Sequence, residues 1–91
     1  MNTVSGQQYL SLSFNRSLNV TDARYTIQVA SLLGEWIQGS SYGFGGDVPN
    51  TVSTTQESRT GNATQERITV RDNVPVANSG ARFMRLLIAL P

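Results

Sequence analysis

Cysteine, histidine and lysine are all missing from this chain of 91 residues. Without cysteine there is no disulfide, no thiol nucleophile and no thiolate metal site. Without histidine the commonest general base is gone, and with it the Ser/His triad and most zinc sites. Without lysine there is neither Schiff-base chemistry nor a phosphate-binding loop of the Gly-Lys-Thr type. All seven positive charges are arginines, set against six acids, and they are scattered along the sequence. A nucleic-acid partner needs a concentrated basic stripe, so none is expected. No apolar run approaches the roughly 18 residues of a membrane helix, and no insertion into a membrane is expected. The first residues, Met-Asn-Thr-Val-Ser-Gly-Gln-Gln, have no charged region followed by an apolar one, so no signal peptide is expected in this stretch. The chain is then either cytoplasmic or a piece of a longer exported protein. Its abundance of Ser, Thr, Asn and Gln favours the second, an extracellular or cell-surface location.

What is present is short-range alternation. Tyr25-Thr26-Ile27-Gln28-Val29-Ala30 has a period of two, with Tyr25, Ile27 and Val29 on one face. That is the pattern of a half-buried strand. It breaks at Leu32-Leu33-Gly34, a tight apolar corner, and a second strand anchored by Trp36 follows. Upstream, Leu10, Leu12 and Phe14 alternate with serines, and Asn15-Arg16-Ser17 is expected to leave the sheet. Residues 1–7 are expected to be a frayed lead-in to a single domain spanning 8–91. A short helical turn is expected near residues 21–23.

Residues 39–47 hold half of the eight glycines. They are expected to form a mobile loop pinned by Tyr42 and Phe44, or alternatively a sugar-contacting loop in which those rings stack on pyranoses. The threonine-rich segment 51–60 suits an exposed strand near a sheet edge, with Glu57 and Arg59 guarding it against pairing with a neighbour. Gly61-Asn62 is a turn signal, and Gln65 to Asp72 alternates again with Ile68 and Val70 inward. These two segments make the clearest hairpin. The most apolar segment, Phe83-Met84-Arg85-Leu86-Leu87-Ile88-Ala89-Leu90, is apolar on both sides. Such a strand belongs in the middle of a sheet with both faces covered, or against another molecule.

About six short strands with turn signals between them, and no convincing helix, point to an all-β fold. The expected architecture is an antiparallel β-sandwich, immunoglobulin- or fibronectin-like or jelly-roll-like, with Trp36 packed between the sheets. Asp22, Asp47 and Asp72 fall in predicted loops, where aspartate usually serves turns and caps. None lies in a calcium-loop pattern, and no acidic pair marks a glycosidase. No catalytic residue, cofactor or metal is therefore expected, and the chain is read as not an enzyme.

Four phrases occur in order: Tyr9-Leu10-Ser11-Leu12-Ser13-Phe14-Asn15-Arg16, then Tyr25-Thr26-Ile27-Gln28-Val29-Ala30-Ser31 with Trp36, then Ile68-Thr69-Val70-Arg71-Asp72, then Arg82-Phe83-Met84-Arg85-Leu86. Together they resemble the β-sandwich module at the carboxyl end of large exported proteins of Verrucomicrobia and related bacteria, which carry autotransporter-type or immunoglobulin-like repeats upstream. The chain departs from that pattern at Leu32-Leu33-Gly34-Glu35, where a more polar turn is usual. The resemblance implies an exported, non-catalytic module near the end of a longer polypeptide, serving adhesion, anchoring or sorting. Its partners would be other domains of the parent chain or copies of itself. The alternatives are a self-assembling subunit of a fibre or shell, and a carbohydrate-binding module. The last would bind a glycan through Tyr42, Phe44 and Trp36, and predicts loss of binding in Tyr42→Ala with the fold intact. An interaction surface is expected at Phe83, Leu87 and Leu90.

Overall fold

The computed structural model describes residues 2–4, 6–19, 22–31, 34–76 and 81–90. They form eight strands and no α-helix: β1 (Asn2–Val4), β2 (Gln7–Tyr9), β3 (Ser11–Ser17), β4 (Arg24–Ala30), β5 (Ile37–Gly43), β6 (Thr54–Gly61), β7 (Gln65–Asp72) and β8 (Phe83–Ala89). Every pairing is antiparallel. One sheet has the order β3-β7-β6, a second β5-β4-β8, and β1 and β2 form a separate hairpin. This is the expected all-β sandwich, with eight strands in place of about six. The two additional strands are β1, inside the expected lead-in of residues 1–7, and β2, which begins at its last residue and runs to Tyr9. Three-residue strands held by backbone pairing need no apolar alternation, so the sequence carries no trace of them.

The core forms where the alternating faces of β3, β4, β5 and β7 meet. Ile27, Val29, Tyr42, Ile68 and Val70 are completely buried, and Phe14 and Tyr25 nearly so. Burying each aliphatic side chain of this kind contributes about 1.5–3 kcal/mol. The Phe14 ring stacks on Tyr25 at 5.7 Å between centroids and meets Tyr42 at a tilt at 5.9 Å. Leu12, Met84 and Leu86 pack on this cluster from its open side.

Four expectations are corrected. First, residues 39–43 are strand, not loop, and Gly39 through Tyr42 are buried in β5. Glycine is required at position 39 because the sheets approach too closely for a side chain. A Cβ there would lie 2.6 Å from both Cγ2 and Oγ1 of Thr54 and 3.0 Å from the Ile27 carbonyl. Second, Asn15, Arg16 and Ser17 stay in β3, because the inward Arg16 finds Glu66 directly across the strand pair. Third, Asp72 is not a loop residue: it ends β7 and is completely buried. Fourth, β8 is an edge strand, paired with β4 alone among the described strands. The corner residues Leu32 and Leu33 lie outside the described residues, as do Val20 and Thr21 in the segment where a helical turn was expected.

Two polar devices join the sheets. At the β5–β6 side, Ser40 N–H donates to Thr54 Oγ1 at 2.6 Å, the Ser40 hydroxyl donates to the Pro49 carbonyl at 2.7 Å, and Ser53 Oγ donates to the Gln38 carbonyl at 2.9 Å. At the end of β7, Arg82 grips Asp72 with both nitrogens of its fork, Nε to Oδ2 at 2.7 Å and Nη2 to Oδ1 at 2.9 Å. Its remaining nitrogen donates to Ser31 Oγ at 2.7 Å, just past β4.

Gly39→Ala should lower stability by about 1–3 kcal/mol, the usual cost of forcing a group into a packed site, seen as a lower urea midpoint. Arg82→Ala should cost about 3–5 kcal/mol, because it strands a buried carboxylate. Removing both partners, in Asp72→Ala with Arg82→Ala, should cost less than Arg82→Ala alone in the same titration.

Candidate interaction surface

The two ends and the four outer strand edges of the sandwich differ in how completely they are closed. At the end carrying the turn after β5, Arg16 and Arg59 alternate with Glu66 and Asp47. Arg16 Nε donates to Glu66 Oε1, Arg59 donates to both Glu66 oxygens at 2.9 Å, and Arg59 Nη2 lies 2.8 Å from Asp47 Oδ2. Asp47 Oδ1 also accepts from Gly43 N–H at 2.9 Å. Two cations and two anions satisfy one another, leaving no surplus charge for a ligand. Burial by itself would raise the Glu66 carboxyl, but the hydrogen bonds from Arg59 and Arg16 outweigh it and hold the group below its ordinary range. Asp47 is likewise held low, against its burial, by the Gly43 N–H and Arg59.

Tyr42 lies beneath this network with no exposed surface. Its hydroxyl donates to Gln56 Oε1 at 2.9 Å, and the Arg59 guanidinium sits 5.4 Å over its ring. Burial pushes the phenol up to about 12. A ring in that position has no face for a sugar, so Tyr42 is a core residue rather than a binding platform.

The turn after β5 is held by Arg24, whose Nη1 donates to the carbonyls of Phe44 at 2.7 Å and Gly46 at 2.8 Å. Phe44 itself is exposed. Trp36 precedes the other end of β5, roughly 25 Å away along an extended strand. It is not part of the core cluster, contrary to the expected place between the sheets. Its ring carries the Arg85 guanidinium at 4.1 Å, while Arg85 Nε donates to Gln28 Oε1 at 2.8 Å. Tyr42, Phe44 and Trp36 therefore do not assemble into one aromatic surface. Trp36 instead lines a cleft of about 460 Å³ with Leu10, Leu12, Arg82, Phe83 and Met84. Of the acids, Asp47 and Asp72 are committed to Arg59 and Arg82, and no group of three or more acids among the described residues could hold a metal ion. Among the described residues no helix is long and apolar enough to cross a membrane.

The edges separate clearly. β6 carries Glu57 and Arg59 and is irregular between Gln56 and Ser58, where the pairing with β7 shifts by one residue. The end of β5 is covered by its own turn, which returns to pair Val48 with Ser41 through two backbone hydrogen bonds of 2.8 and 3.0 Å, while Ile37 at its start stays exposed. β3 points a charged residue, Arg16, inward. Bulges, charges and covering loops are the usual means of blocking an edge. Among the described residues β8 has none of them beyond Arg85. From Leu86 to Leu90 it is uncharged, with Leu87 40% exposed, Ile88 59% and Leu90 71%. Phe83, the third expected surface residue, is partly buried at the start of the strand.

Leu87 and Leu90 were legible as surface candidates from the double-sided apolar pattern. Ile88 was not singled out, although it shares the parity of Met84, Leu86 and Leu90. The inter-sheet role of Arg82 and the Arg24 clamp had no sequence signal either, since both depend on which strands become neighbours.

Comparison with protein-family models, curated proteins and solved structures found no match for the chain.

Acid should destabilise the fold as pH falls through and below the ordinary carboxylate range, because Glu66 and Asp47 take up protons more readily unfolded than folded. Glu66→Gln should flatten that acid limb in a pH series of urea midpoints. At the alkaline end the sign is reversed: the raised phenol of Tyr42 costs stability between about pH 10 and 12. Tyr42→Phe should remove that part of the alkaline loss, while Tyr42→Ala should disrupt the core by about 3–5 kcal/mol, in the manner of other large aromatic truncations.

Proposed function

We propose that this protein is a non-catalytic structural and interaction module of an exported or cell-surface protein, and that it associates through the outer edge of β8. The observation that supports this most is the contrast among the edges. Three outer strands of the two three-stranded sheets carry a bulge, a covering turn or an inward charge, while β8 presents Leu87 and Ile88, followed by Leu90, with no such block among the described residues. An exposed strand with free backbone groups takes up another strand readily, with the backbone supplying affinity and the alternate side chains specificity. Adhesion, anchoring and sorting all need such a surface and no reacting group. The exported setting rests on the four ordered phrases around Phe14, Trp36, Val70 and Phe83, and on the polar, low-charge composition.

Light scattering of the chain across roughly 10 μM to 1 mM, the range a small interface requires, tests this. The expected mass rises above 9.9 kDa with concentration. Ile88→Lys, at a largely exposed position, should return the mass to that of a monomer with an unchanged circular dichroism spectrum. A wild-type chain that stays monomeric throughout would overturn the proposal.

A further inference from the structure

Building on the β8-edge reading, we infer that the partner of β8 is the β8 strand of a second copy, paired antiparallel about a two-fold axis at Leu87, so that association closes at a dimer. The parity of the strand restricts the options. Met84, Leu86 and Ile88 sit opposite Val29, Ile27 and Tyr25 on the core face, and Phe83, Arg85, Leu87 and Ala89 lie on the other. A two-fold axis perpendicular to the sheet keeps each face continuous, so it must pass through a residue and pair like parity with like.

Charge and exposure then choose the residue. An axis at Arg85 would set two guanidiniums directly opposite each other, which is destabilising. An axis at Leu86 would set Arg85 against the exposed Leu87, and an axis at Ile88 would shorten the described ladder to residues 86–90, against 84–90 for Leu87. With the axis at Leu87, Leu87 meets its own symmetry mate, Leu86 meets Ile88, Met84 meets Leu90, and Arg85 meets Ala89. The exposed apolar side chains of β8 all find apolar partners. The two Arg85 residues stand four positions apart, about 13 Å along the strands, beyond the screening length of physiological salt. Each Arg85 also stays on its own Trp36 and Gln28.

The blocked edges decide closure. Once β8 is used, the strands left at the rims of the two three-stranded sheets are β5, β6 and β3, each carrying a block, and the separate β1-β2 hairpin offers only edges three residues long. A head-to-tail fibre would need a second open edge. The result is one continuous sheet in the order β5-β4-β8-β8-β4-β5 through two copies, an isologous interface in which one patch serves both sides.

The native chain contains no cysteine, so single-cysteine variants report position without background. Directly opposed residues of an antiparallel pair bring their Cα atoms to about 4.5–5.5 Å, within disulfide reach. Under mild oxidation Leu87→Cys should cross-link to a dimer, and Ala89→Cys alone should not. A mixture of Arg85→Cys with Ala89→Cys should cross-link where neither does alone. Adding Ile88→Lys to Leu87→Cys should cut the yield at least several-fold. Light scattering should plateau at twice the monomer mass. Equal cross-linking at Ala89→Cys, no cross-linking at Leu87→Cys, or a mass that grows without a plateau would overturn the two-fold dimer. If either of the last two is found while Ile88→Lys still returns the mass to that of a monomer, the β8 edge stands as an association site and only this geometry is discarded.

Discussion

A completely buried carboxylate has to be neutralised where it stands, and the position of Asp72 at the end of β7 governs much of this molecule. Its partner Arg82 immediately precedes β8, so the ion pair fixes where the last strand begins. The third arm of the same guanidinium holds Ser31, just past the end of β4. One side chain thus ties the far sheet to the two strands whose pairing places β8. With the start of β8 fixed beside the end of β4, antiparallel pairing runs from Ala30 opposite Phe83 to Arg24 opposite Ala89. The strand has no freedom to move inward between other strands, and its outer edge faces solvent.

The opposite end of the sandwich uses the same chemistry in a more exposed form. Arg16, Arg59, Glu66 and Asp47 close the core above Tyr42, and Arg24 fastens the turn that shields β5. Six of the seven arginines are thereby consumed by architecture: Arg16, Arg24, Arg59, Arg82, Arg71 through Tyr9 and Glu57, and Arg85 through Trp36 and Gln28. The planar fork suits this use, since it can satisfy two or three acceptors in fixed directions where an ammonium group would supply a point charge. An arginine-only basic set in a chain of this size is consistent with scaffolding more than with recognition of an anionic partner.

Closure of the sandwich is also uneven. The β5–β6 side is zipped by short hydroxyl contacts that only a glycine at position 39 permits, whereas the β3–β8 side is joined mainly by partly buried apolar side chains. Apolar side chains reach solvent on both sides, Ile37 and Val52 beside the tight seam and Ile88 and Leu90 beside the looser one. The association proposed for β8 would cover that looser side and add to the burial of Met84 and Leu86, which a core of this size leaves incomplete.

The sequence by itself determined the fold class, the β6–β7 hairpin and the inward faces of β3, β4 and β7. Period-two alternation around Phe14, Ile27 and Ile68 is a local property and survives any choice of strand neighbours. It also marked Leu87 and Leu90 as residues without a place in a small core. Tertiary structure alone decided the rest. Whether Tyr42 is a platform or a core ring depends on what lies across from Gly39, and that is Thr54, fifteen residues away. Whether a strand apolar on both faces is central or at an edge depends on the order of strands, which alternation does not encode. Asp72 becomes a buried anchor instead of a turn residue for the same reason: its partner is set by packing between sheets, a long-range choice that no short stretch of sequence contains.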